Sequence, residues 1–172
     1  MIRILLVMFL AALATPASAA MTLTSTDFAE GSVIPDAQIY PRCGGKNISP
    51  ELKWTGAPAS TRSFVLTMID ESVKPSQWSH WVVVNIPATT TELARGGALP
   101  DGAKAIASNF GDAFYDGPCP PTATGKHVYV LTIWAMPDVR TNVIPNAIAK
   151  NLPGYLGTMA LDHASLSGTV TR

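Results

Sequence analysis

The sequence is poor in charge. Only 14 % of its 172 residues are Asp, Glu, Lys or Arg, and 12 acidic residues cancel 12 basic ones. That balance excludes the basic stripe typical of nucleic-acid-binding domains. Cysteine is scarce as well, with Cys43 and Cys119 the only two. There is no Cys-x-x-Cys, and the three histidines are scattered, so no local spacing specifies a metal site. A Gly-x-Ser-x-Gly elbow, a His-Glu-x-x-His pair and a phosphate-loop glycine run are all missing. Beyond the first twenty residues no apolar run is long enough to span a bilayer. No cofactor motif is present.

What is abundant is apolar residues, at 47 %, together with 14 prolines and 13 glycines. Such a chain is not disordered, and its length suits one domain. The turn-forming residues point to a loop-rich, mostly β fold. Residues 1–20, MIRILLVMFLAALATPASAA, carry Arg3, an apolar run from Ile4 to Ala14, the breaker Pro16 and a small-x-small Ala17-Ser18-Ala19. This is the pattern of a secretory signal peptide, and the run is too short for an anchor. Residues 21–172 then form a single exported domain, periplasmic or secreted, with 11 basic and 12 acidic residues. Export favours pairing Cys43 with Cys119, the alternative being two free thiols.

Arg62–Asp70, Trp78–Ile86, His127–Met136 and Ala164–Thr171 read as strands, with Thr22–Phe28, Leu52–Trp54 and Ala103–Ser108 as weaker ones. The unbroken apolar run in Trp78–Ile86 implies burial on both faces. Thr91–Arg95 reads as one helical turn. Asn142–Leu152 reads as a short helix opened near Pro145 and closed by Pro153-Gly154. The fold class is mainly β, with antiparallel sheets and a few small peripheral helices.

Three polar residues fall at the ends of the strongest strands. Asp70 closes the first, His80 lies near the start of the second on the face of Val82 and Val84, and His127 opens the third beside Tyr129. Strand ends are rigid platforms for sites. Two imidazoles, a phenol and the amides of the glycine-rich loop before His127 suit an anion. A His80–Asp70 pair is also the minimum for a weak hydrolase, although no nucleophile or oxyanion hole is recognisable. His163 reads as a surface residue, and Trp54, Trp81 and Trp134 as packing.

Three blocks carry a resemblance: CGGKNISPELKWTGAPASTRSFVLTMID from Cys43, QWSHWVVVNIPATTTEL from Gln77 and YDGPCPPTATGKHVY from Tyr115. With ASLSGT near the C-terminus they resemble the bacterial, Raf-kinase-inhibitor-like branch of the phosphatidylethanolamine-binding protein family. The resemblance implies antiparallel sheets and a small pocket for anionic groups such as phosphate or a phospholipid head group. It places the pocket at Asp70, His80, Gly117, Pro120, Pro121, His127 and Tyr129, with loop amides completing the cradle. It also implies that a Cys43–Cys119 bridge ties the 42–47 loop to the 117–121 loop. One departure is Ser72, which stands where the family usually has a second acid; its loss eases anion approach, with Lys74 adding attraction.

The expected function is therefore an exported binding protein for a small anionic, phosphate-like ligand, without catalysis. The alternative is an inhibitor of a protease or signalling kinase that meets a partner protein through its surface. Protonating either histidine is expected to tighten anion binding below about pH 6.5.

Overall fold

The computed structural model describes residues 20–143 and 151–172. The expected leader lies outside these residues apart from Ala20, and so does the 144–150 part of the expected helix.

Among the described residues nine strands follow in chain order: β1 (Thr22–Thr24), β2 (Ser32–Val33), β3 (Leu52–Thr55), β4 (Ser63–Asp70), β5 (Trp78–Pro87), β6 (Glu92–Leu93), β7 (Lys104–Ala105), β8 (Lys126–Met136) and β9 (Asp162–Thr171). A 3-10 turn spans Pro41–Cys43, and a short helix, α1, spans Leu152–Gly157. The small sheet has the order β1-β3-β6 and the large one β2-β9-β8-β4-β5-β7. Mainly β is thus right, but the large sheet is mixed. Its β2 runs parallel to β9, because Gly31 N–H donates to Ser167 O and Ile34 N–H to Thr169 O.

β4 is buried along its whole length, which explains its mostly apolar sequence, broken only by the buried Ser63, Thr67 and Asp70. Phe64, Leu66 and Met68 face the small sheet and pack with Leu23, Leu52, Trp54 and Leu93. Val65 and Ile69 face the other way, where Val82, Val84 and Trp134 pack with Leu152 and Leu156 of α1. Trp54 and Phe64 meet edge to face at 5.5 Å and join the two sheets. Side chains buried to this degree contribute about 1.5–3 kcal/mol each.

Several expectations give way to tertiary contacts. Thr91–Arg95 is not a helical turn: Glu92 and Leu93 pair with Lys53 and Leu52 as β6. The first strand stops at Thr24, because Ser25 Oγ donates to Glu51 O and Asp27 Oδ2 accepts from Glu51 N. The strand over 103–108 shrinks to Lys104–Ala105. Pro153-Gly154 opens a helix rather than closing one, since Asn151 Oδ1 accepts from Gly154 N and caps α1. Such a side-chain cap fixes a helix start.

Candidate functional site

The site forms at one end of the large sheet. Asp70, the last residue of β4, sits between Trp78 of β5 and Tyr129 of β8. His127 is two residues before Tyr129 and so shares its face. His80 arrives differently. Met68 pairs with Trp81 and Ile69 with Ser79, so His80 is the extra residue of a β-bulge. A bulge re-aims the side chain it carries. The ring of His80 lies 5.1 Å from that of Tyr129 and 5.0 Å from that of Phe110. It therefore belongs to the site's face, not to that of Val82 and Val84 as strict alternation implies.

Hydrogen bonds then set the chemistry. Asp70 is buried and both its oxygens are engaged: Oδ2 accepts from His127 Nδ1 at 2.6 Å, and Oδ1 from Ser72 N at 2.9 Å. Thr124 Oγ1 donates to Pro121 O at 2.7 Å and lies 2.9 Å from His127 Nε2. Both ring nitrogens of His127 are thus tied to protein, and the ring is a fixed wall.

His80 is less constrained. Its Nδ1 donates to Asp116 O at 2.8 Å, and Asp116 N returns a bond to His80 O. That leaves Nε2 as the nitrogen open to a ligand. Burial holds the His80 imidazole below its ordinary value, against the opposing pull of the Asp116 carbonyl and the Asp70 charge. Burial first and the Asp70 charge second raise the Tyr129 phenol, which stays neutral. Its Oη is buried without a hydrogen-bond partner, an uncommon state that a ligand or water normally relieves. Burial and the neighbouring Asp112 push the Asp116 carboxyl up to about 6.

Two loops close the wall. The Cys43–Cys119 disulfide is present and ties the 42–47 loop to the 117–121 loop. Asn47, in a left-handed conformation, doubles the tie: its Nδ2 donates to Tyr115 O and its Oδ1 accepts from Gly117 N at 2.7 Å. Tyr40 N–H donates to Pro118 O, and Tyr115 Oη to Gln38 O. These bonds correct the expected amide cradle. Pro118, Pro120 and Pro121 have no N–H, and that of Gly117 is spent on Asn47, so only the Cys119 amide remains. Gly117 serves packing: a Cβ there falls 2.1 Å from Gln38 O and 2.8 Å from Tyr40 N. Gly117→Ala is expected to cost about 1–3 kcal/mol by forcing these loops apart; a thermal melt within a degree of the parent would refute this.

Asp70, His80, Pro120, Pro121, His127 and Tyr129 line one cleft of about 230 Å³, joined by Arg42, Val73, Trp78 and Phe110. Gly117 lines instead an adjoining hollow of about 190 Å³, which shares Arg42, Phe110 and Cys119 with the cleft. Ser72 is a structural staple, its Oγ accepting from Val128 N. Lys74 does not line the cleft, and its cation is Arg42. Sequence reasoning missed Arg42, Phe110 and Asp116, which come from loops: the bridge and Asn47 bring in Arg42 and Asp116, and Asn109, bonded to Ser79, brings in Phe110. His163 is exposed and stacks on Trp134, away from the site. Among the described residues no cluster of His, Cys, Asp and Glu is placed to hold a metal, and no helix is long and apolar enough to cross a membrane.

Chains of similar sequence and fold exist elsewhere. Residues 24–171 match the family model described as phosphatidylethanolamine-binding protein. YbhB of Escherichia coli K12 is 40 % identical over 131 residues, covering 72 % of this chain and 82 % of that protein. The Mycobacterium tuberculosis protein LppC, whose name classes it provisionally as a lipoprotein, is 32 % identical over 157 residues, covering 90 % of this chain and 75 % of its own. The crystal structure of E. coli YbcL superposes with a TM-score of 0.75 at 32 % identity, covering 88 % of this chain and 98 % of that one. The chain belongs to the phosphatidylethanolamine-binding protein family, alongside its bacterial members YbhB and YbcL.

Proposed function

We propose that the protein is an exported binding protein whose cleft holds a small phosphate-like anion without turning it over. The observation that carries this reading is the lining of the cleft. The Arg42 guanidinium, His80 and the partnerless Tyr129 hydroxyl meet there, while the one carboxylate in the wall, Asp70, has both oxygens occupied by protein. A ligand therefore meets the donors of Arg42 and Tyr129 and no free carboxylate, with His80 becoming a further donor once it is protonated. Binding without turnover is supported by the wall's sulfur being locked in the disulfide and its hydroxyl being a neutral phenol. Export is supported by that disulfide and by the resemblance to LppC.

The pH dependence follows from His80. Its imidazole titrates below its ordinary value, so at neutral pH it is uncharged, with its proton on Nδ1 and a lone pair on Nε2. That lone pair opposes an anion, and protonation turns it into a charge-assisted donor worth about 1.5–3 kcal/mol. Anion binding draws in a proton, so affinity rises as pH falls. Inorganic sulfate keeps its charge across this range and is a suitable probe. Calorimetry is expected to show at least about tenfold tighter sulfate binding at pH 5.5 than at 7.5, with the difference abolished in His80→Gln. Equal affinities at both pH values, or a His80→Gln variant with the parent's pH dependence, would sink the reading.

A second reading, docking of a partner protein, is favoured by Phe110, which is half exposed, and by Tyr40 beside it on the rim. Capture of such a partner should survive His80→Ala and fail in Phe110→Ala.

A further inference from the structure

A larger cleft, of about 440 Å³, opens at the other end of the large sheet. Arg62, just before β4, Asn85 near the end of β5, Lys104 of β7 and Arg140 beyond β8 line it. It shares no lining residue with the histidine cleft. The eight residues of β4 separate the two ends by about 23 Å, at roughly 3.3 Å per residue.

Its charge is one-sided. No carboxylate lines it. The ion pairs among the described residues are Arg95–Asp27 and His127–Asp70, so Arg62, Lys104 and Arg140 have no acidic partner within 4.0 Å. Residues 1–19 and 144–150 contain no Asp or Glu and can supply none. In a chain whose charges cancel overall, three cations line this one concavity, and the two acids nearest in sequence, Asp101 and Asp138, stay outside its lining.

The cations sit on rigid elements. Arg62 N–H donates to Met136 O at 2.8 Å, which fixes it beside the end of β8. Asn85, with φ at 59°, accepts from Thr141 N at 2.8 Å and so anchors the segment that carries Arg140. Among the described residues no acceptor takes the Asn85 Nδ2 donors. Pro87, Ala88 and the exposed Val139 supply apolar wall between the charges.

We propose that this cleft is a second ligand site, for a small polyanion that carries two or more phosphate or sulfate groups. Its volume is that of a small-molecule site. Two guanidinium forks suit tetrahedral oxyanions, and three charges exceed what a monoanion can neutralise.

The test uses the full mature chain and inorganic tripolyphosphate. Nuclear magnetic resonance titration at pH 7.5, where the histidine cleft takes anions less well, should shift the amides of Asn85, Lys104 and Arg140 at lower tripolyphosphate concentrations than those of His80 and His127. Arg62→Gln combined with Arg140→Gln is expected to weaken binding tenfold or more and to flatten its salt dependence, while His80→Ala leaves it unchanged. Lys104→Gln, a single change on an exposed strand end, should weaken binding severalfold if the double variant folds poorly. No binding by the parent chain, shifts confined to the histidine cleft, or undiminished binding in these variants would overturn the proposal.

Discussion

Replacing Asp70 by alanine is expected to lower stability by about 3–5 kcal/mol, the cost of removing one partner of a buried, hydrogen-bonded pair. Both oxygens of Asp70 are in use, so the loss strands two donors at once: His127 Nδ1, itself buried, and the Ser72 amide. The chain of bonds then runs on from His127 through Thr124 to Pro121, so the damage should reach the loop wall. Asp70→Asn separates shape from charge. The amide oxygen can still accept from Ser72 N, and the amide nitrogen can donate to a His127 that carries its proton on Nε2, facing the Thr124 acceptor. Every bond is then satisfied, so Asn should recover most of the stability lost in Ala. Urea unfolding of both variants decides the matter: equal losses would show that the negative charge, not the bonding pattern, holds this end of the sheet.

Removing the disulfide, as Cys43→Ser with Cys119→Ser, is expected to have a comparable effect through different physics. The bridge closes a loop across 76 positions, worth about 4–5 kcal/mol in the chain-entropy account. For a domain of this size the melting temperature should fall on the order of 10–15 °C. The site should suffer less than the fold. Tyr40 to Pro118, Asn47 to Tyr115 and Gly117, and Tyr115 to Gln38 still hold the same two loops in register. Sulfate affinity of the folded double variant should therefore stay within about threefold of the parent. A melting temperature within 3 °C of the parent's would remove the bridge from the account of stability. Lost affinity in a folded variant would show that Asn47 alone cannot keep Arg42 in place.

The long strands were legible because their sequences already state their surroundings. β4 and β5 are mostly apolar since both their faces are covered, and β8 and β9 follow as long strands beside them. The two-residue strands β2, β6 and β7 carry no such signal; their partners define them. Thr91–Arg95 shows this, having the composition of a helical turn and the neighbours of a strand. At the site, Asp70, His127 and Tyr129 could be placed from strand ends alone. His80 could be chosen but not aimed, because a bulge is invisible to period-two counting. The roles of Asn47 and Gly117 lie in contacts across about seventy positions, and no local pattern marks them. The amide cradle could have been doubted earlier, since prolines at three of five loop positions remove its donors.

The order of the large sheet has a consequence at high protein concentration. Its four long strands are all interior, and each edge is finished by a strand of only two residues, β2 on one side and β7 on the other. A template for another copy's backbone needs a longer row of free amides and carbonyls than two residues present. The short stretches interrupt the open sides of the long strands, β2 at Gly168 and Thr169 of β9 and β7 at Val83 and Val84 of β5. Ser32–Val33 and Lys104–Ala105 guard the solubility of a protein whose interior strands, left at an edge, would invite aggregation.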